Sequence, residues 1–150
     1  MRTKFMVVVA LMPVLSGCDQ LKTTPVDLQD SPLVGTWFAE AGVQSPEGVQ
    51  KDRLLVQVTP SGYVSYHYLG CDQQLGSPLR EKRLNLQDMP IKRLTTVKMV
   101  LQNYPLTPKY ELTIGTWPDK ADGVFTLDGI PLLPIDSAEV PPPALWDCAF

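Results

Sequence analysis

The chain holds a single histidine, His67, and only three cysteines, Cys18, Cys71 and Cys148, among its 150 residues. That shortage argues against several function classes at once. A hydrolytic triad needs a base that titrates near neutrality, usually histidine. His67 is the one candidate, within the alternating run Tyr63-Val64-Ser65-Tyr66-His67-Tyr68. Alternation puts Ser65 and His67 on one face about 7 Å apart, which is ordinary spacing for a half-exposed strand. No Gly-x-Ser-x-Gly elbow presents a nucleophile. No Cys-x-x-Cys supports a zinc site, and Asp119-Lys120-Ala121-Asp122-Gly123 has too few acids for a calcium loop. No glycine-rich phosphate loop is present. Five of the 16 acids (Asp72, Asp88, Asp119, Asp122 and Asp128) stand in turn contexts, where they already serve the backbone. The reading is therefore of no catalytic residue, no metal ligand and no cofactor.

Basic charge is also short, with 13 Lys and Arg against 16 Asp and Glu. A nucleic-acid binder needs a basic footprint, so this partner class is set aside. Long apolar runs are lacking too. The run from Phe5 to Leu15 is eleven residues long and contains Pro13, whereas a spanning helix needs about 20. Preceded by Arg2 and Lys4 and followed by Leu15-Ser16-Gly17, it has the layout of a secretory signal. With Cys18 directly after, the segment resembles the lipobox of bacterial lipoproteins. That resemblance implies cleavage after residue 17, lipid on Cys18 and a periplasm-facing location. Each buried methylene contributes about 0.8 kcal/mol, and stable anchoring needs more than one chain, which the acyl chains of such proteins supply. Asp19 after the lipidated cysteine resembles an inner-membrane retention signal, so the inner membrane is preferred over the outer. The mature part would carry 11 basic and 16 acidic residues, a net charge of −5.

What remains has the pattern of a β protein. Residues 18–32 read as a lipidated N-terminus and polar tether, 33–133 as one β domain and 134–150 as an extended tail around Pro141-Pro142-Pro143. Residues 33–38 form the first strand candidate and 39–52 a loop. Leu54, Val56 and Val58 alternate along the next strand. Thr59-Pro60-Ser61-Gly62 turns it into a Tyr-rich partner. A loop over 70–79, a short strand over 80–86, a turn at 87–90 and a long strand over 91–102 follow. Residues 110–117 form another strand. The Asp122-Gly123 and Asp128-Gly129 turns bracket Val124 to Leu127, and Ile130 to Leu133 pair back. No ten-residue stretch has clean helical periodicity. About eight strands in an antiparallel meander fit a small barrel or a sandwich, which share this alternation. The apolar tail end, Leu145-Trp146 and Cys148-Ala149-Phe150, is expected to lie across the body.

Leu33-Val34-Gly35-Thr36-Trp37, followed by an alternating strand and Pro60-Ser61-Gly62-Tyr63, resembles the opening of lipocalin-like small barrels over residues 33–68. The resemblance implies that Gly35 and Trp37 mark the barrel floor, and that a small apolar ligand is bound. In an oxidising compartment Cys71 and Cys148 are expected to pair; free thiols or a link to a partner are the alternatives. Six of the mature basic residues (Arg80, Lys82, Arg83, Lys92, Arg93 and Lys98) cluster in sequence. They are either a solvated strand face or a docking patch for an acidic partner or anionic headgroups. Three functions follow as expectations. The first is an accessory or scaffolding subunit of an envelope secretion, conjugation or assembly complex. The others are a lipocalin-like carrier and an inhibitor of a lytic enzyme or protease.

Overall fold

The structure, a computed structural model, describes residues 22–118 and 123–149. Its eight antiparallel strands are β1 (Gly35–Ser45), β2 (Gly48–Val58), β3 (Tyr63–Gln74), β4 (Arg80–Leu94), β5 (Lys98–Leu101), β6 (Tyr110–Thr116), β7 (Phe125–Leu127) and β8 (Ile130–Pro134). Each pairs with the next and β8 returns to β1, so the sheet is a closed barrel. Closure decides between the two architectures that alternation alone left open. Leu54, Val56 and Val58 of β2 and Val64, Tyr66 and Tyr68 of β3 point inward. There they meet Ile91, Met99, Leu101, Leu112, Phe125, Leu127 and Leu132. The ring of Trp37 meets Phe125 edge-on at 5.5 Å, and its Nε1–H donates to the Leu33 carbonyl at 2.8 Å.

The β2–β3 hairpin turns where the sequence predicts, with Gly62 at φ +86°. Gly62 serves a second purpose. A Cβ there would stand 1.9 Å from the Val26 carbonyl oxygen, so only glycine lets the N-terminal segment cross the turn.

Four expectations are corrected. The segment 39–52 is no loop: it is the upper half of the β1–β2 hairpin, whose register runs unbroken from Gly35 opposite Val58 to Ser45 opposite Gly48. Cys71 is likewise in a strand, because β3 continues to Gln74. Residues 87–90 do not turn the chain. They hold a β-bulge, where Gln87 and Asp88 oppose the single residue Ser65. Asp88 takes φ +47°, and its N–H donates to Ser65 Oγ at 3.1 Å. The stretch 91–102 is not one strand but the end of β4, a turn at 95–97 and β5. Thr95 Oγ1 accepts from the Val97 and Lys98 amides and closes that turn.

The tether is also shorter than its polar composition implies. From Thr23 onward the chain lies on the barrel. The amides of Thr23, Val26 and Leu28 donate to the carbonyls of Asn103, Ile91 and Pro60, and Leu28 and Leu33 are buried in the core. Backbone hydrogen bonding to free carbonyls in the barrel holds a sequence with little apolar content of its own. Cys18, the Asp122 turn residue and Phe150 lie outside the described residues.

Phe125 is fully buried against Trp37. Phe125→Ala is expected to lower unfolding free energy by about 3–5 kcal/mol, read as a shifted denaturant midpoint at unchanged slope.

Candidate docking surface at the flared end of the barrel

Strands β1 to β4 have 11, 11, 12 and 15 residues, whereas β5 to β8 have 4, 7, 3 and 5. The mismatch has a structural consequence. β8 meets β1 only at Trp37 and Phe38, and β5 meets β4 only from Ile91 to Leu94. Residues 39–45 of β1 and 80–89 of β4 therefore have a strand partner on one side only. The long strands run past the barrel as a four-stranded flap with two open edges. At about 3.3 Å per residue, its tips stand about 30 Å along β1 from Gly35.

The flap's inner face, read by alternation from Trp37, Leu54, Tyr68 and Leu84, carries Ala39, Ala41, Val43 and Ser45 on β1, Asp52, Gln50 and Gly48 on β2, Gly70 and Asp72 on β3 and Lys82 and Arg80 on β4. A hollow of about 600 Å³ near its tip is bounded by Val43, Ser45, Gln50, Asp72 and Gln74. Where the flap meets the barrel, a smaller hollow of about 170 Å³ is bounded by Ala39, Ala41, Asp52, Leu54 and Ile130. Two tyrosines seal the barrel below. Tyr68 Oη donates to Asp52 Oδ1 at 2.7 Å. Burial, then the hydrogen bond to Asp52, pushes its hydroxyl up to about 12. Burial, then the Asp128 charge, raises Tyr66 as well. Gly70 gives the Tyr68 ring its place, since a Cβ there would stand 2.4 Å from the hydroxyl.

The C-terminal tail braces the outer face. It contains two short 3₁₀ turns, Ser137–Glu139 and Pro143–Leu145. Cys71 of β3 and Cys148 form a disulfide with Cα atoms 5.8 Å apart. Trp146 is buried with Leu55, Leu69 and Val140, and Phe38 packs beside it at 6.2 Å between ring centroids. The Arg53 guanidinium sits 5.9 Å from the Trp146 centroid and pairs with Glu40 at 3.2 Å. Arg53 Nε is buried with no hydrogen-bond partner among the described residues. The ring contact and the Glu40 pair offset that cost. Arg83 donates to the Trp146 carbonyl and pairs with Glu81.

The six basic residues are not gathered into one patch. Arg80 and Lys82 fall on the flap's inner side by alternation, and Arg83 holds the tail on the outer side. Lys92 bonds Gln102 Oε1 at 2.8 Å and Lys98 pairs with Glu111 at 3.1 Å, near exposed Arg93, on the other half of the molecule. His67 Nδ1 lies 3.2 Å from Asn85 Oδ1, in an open groove of about 590 Å³ between β2 to β4 and the tail prolines. Ser65 is committed to the Asp88 bulge, so the two residues are not hydrogen-bonded to each other. Trp37 lies at the start of β1, buried with Leu33. Among the described residues, no group of three or more His, Cys, Asp or Glu is placed to hold a metal ion. None of their helices is long and apolar enough to cross a membrane.

Sequence reasoning missed the flap edges. A usable signal lies in the unequal spacing of turns: Pro46-Glu47, Gly76-Ser77-Pro78 and Pro60-Ser61-Gly62 cut long strands, while Asp128-Gly129 cuts short ones. Comparison with protein-family models, curated proteins and solved structures gives no match to this chain.

Two predictions follow from this geometry. Replacing both Cys71 and Cys148 with Ser opens a loop of 77 residues' separation. It is expected to cost about 4.5 kcal/mol in the chain-entropy model, measured by urea unfolding. At alkaline pH Tyr66 and Tyr68 act with the same sign, since both hydroxyls are raised in the fold. The contribution of Tyr68 is complete below its ordinary value of 10.0 and is lost as pH climbs to about 12. Tyr68→Phe is expected to lessen the fall in unfolding midpoint across that window, with the part due to Tyr66 remaining.

Proposed function

We propose that this chain is a lipid-anchored envelope protein, attached through Cys18 and facing the periplasm, that acts by binding another protein and not by catalysis. On the strength of Asp19 the inner membrane is preferred to the outer. The role is that of an accessory or scaffolding subunit in a secretion, conjugation or assembly complex. The observation that carries this reading is the flap: residues 39–45 of β1 lack a strand partner on their outer side. An unpaired edge is a template for strand addition. This one is poor in charge, with Glu40 the only ionisable residue between Ala39 and Ser45. Val43 and Leu75, near the tips, are 65% and 83% exposed. The tail braces the flap from behind, which keeps its edge in shape before a partner arrives.

The carrier reading has less support. The barrel interior is filled with side chains, the hollow at its mouth, about 170 Å³, falls below the roughly 300–1,000 Å³ of typical ligand pockets, and the larger hollow near the flap tip is open and bounded by polar residues such as Ser45, Gln50, Asp72 and Gln74, unlike the mostly apolar lining of such pockets. The inhibitor reading is a narrower form of protein binding. It would use the β3–β4 tip at Leu75 and Leu79, both exposed.

The test is a cross-linked pull-down of the lipidated protein from native membranes, comparing the wild type with Val43→Lys and Leu75→Asp. Both positions are exposed, so unfolding midpoints are expected to stay within about 0.5 kcal/mol of wild type. One dominant envelope protein with the wild type, reduced about tenfold or more by Val43→Lys (about 1.4 kcal/mol of binding), supports the reading. Equal capture by all three chains, or a bound metabolite without protein, contradicts it.

A further inference from the structure

The first hydrogen bond of the described chain joins the Thr23 amide to the Asn103 carbonyl. Five residue steps separate Thr23 from Cys18, and an extended chain covers at most about 3.6 Å per step. An acyl group on Cys18 would therefore hold Thr23 within about 18 Å of the lipid attachment point, with Asn103 one backbone hydrogen bond further. The loop that begins at Asn103 is Asn103-Tyr104-Pro105-Leu106-Thr107-Pro108. Leu106 is 99% exposed and Tyr104 39% exposed, two large apolar side chains on one short loop. The loop is held in shape: Thr107 Oγ1 donates to the Tyr104 carbonyl at 2.8 Å and accepts from its amide at 3.0 Å. Gln102 Nε2 donates to the Pro105 and Thr107 carbonyls at 3.1 and 2.8 Å. Leu106 is thus presented by a built turn.

Basic residues gather around it. Three segments meet where Thr23 joins Asn103 and Val26 joins Ile91: residues 22–26, 89–94 and 102–110. They contain Lys22, Lys92, Arg93 and Lys109, with the acids Asp27, Asp88 and Glu111 just outside them. Anionic headgroups attract such a cluster by about 1 kcal/mol per basic residue near the surface.

We infer that the 103–108 loop is a membrane contact: Leu106 and Tyr104 enter the lipid interface beside the anchor, with Lys22, Lys92, Arg93 and Lys109 over anionic headgroups. This rests on the proposed lipidation of Cys18. It adds an orientation, since a second contact limits the barrel to rotation about the line through the anchor and the loop.

The experiment uses full-length lipidated protein in vesicles of phosphatidylethanolamine and phosphatidylglycerol, with a fluorophore at Leu106→Cys and, in a second chain, at Leu75→Cys. Intact mass is read first. Acyl mass on Cys18, with iodide quenching at position 75 and several-fold weaker quenching at 106, supports the contact. Acyl mass with equal quenching at both positions overturns the contact alone. Absence of acyl mass overturns the contact and the anchor together. Protection at 106 in native membranes but not in pure lipid vesicles also overturns it, because a protein then covers the loop. Leu106 touches so little of the protein that folding is unaffected, which unchanged unfolding midpoints check.

Discussion

Two residue pairs close this barrel: Trp37 with Pro134 and Phe38 with Leu133. One further bond, from the Ile135 amide to the Thr36 carbonyl at 3.0 Å, extends the seam. β8 contributes few donors because two of its five residues, Pro131 and Pro134, have no N–H. Side chains on both faces of the seam make up the deficit. Inside, Trp37 meets Phe125 and packs in the same cluster as Leu33 and Leu132. Outside, Phe38 and Ile135 pack with Trp146 under the tail. Both supports come from chain ends: Leu33 belongs to the segment before β1, and Trp146 to the segment stapled by Cys148. The fold is thus closed less by its ladder than by what its two termini press against it.

The short seam also accounts for the flap. β8 and β5 stop early, so β1 and β4 outrun their outer neighbours and leave two edges. Natural sheets usually blunt such edges with charge, proline or cover. The β4 edge follows that rule with Arg80, Glu81, Lys82 and Arg83, whereas residues 39–45 of β1 carry one charge. Proposing the β1 edge as the binding surface rests on that contrast. The proposed membrane loop lies where Thr23 meets Asn103, and the flap tips rise from β1 and β2 beyond the core. The loop joins β5 to β6 and so leaves the barrel in the same strand sense as the β1–β2 and β3–β4 tips, while β5 and β6 end well short of them.

Much of this was legible in the sequence, and the failures share a cause. The β2–β3 hairpin and the strand alternation depend on strong local signals, while the Cys71–Cys148 pairing and the packing of the tail were legible from composition: two cysteines remain once Cys18 is set aside, and the tail ends in apolar residues. Residues 39–52, AEAGVQSPEGVQKD, carry none: they are rich in Ala, Gly, Glu and Gln, which strands disfavour. They are strand because β2 extends beside them and is itself held by β3. The bulge at Asp88 reads as a turn because Asp beside a Met-Pro pair is turn chemistry; its ladder to Ser65 is a long-range fact. The tether reads as free because hydrogen bonds from Thr23, Val26 and Leu28 to the barrel leave no mark in composition. The six basic residues seem one patch in sequence because a long strand, a bulge and a turn separate them only in space.

Whether the β1 edge is occupied in the proposed envelope setting decides between a binding strand and an idle one. Hydrogen exchange, read on the lipidated protein purified and then in native membranes, addresses that directly. The amides of residues 39–45 that point away from β2 are predicted to exchange fast in the purified protein and to become protected in native membranes, while core amides of β2 and β3 change little. Equally fast exchange at 39–45 in both settings would contradict the proposal that this edge receives a partner strand.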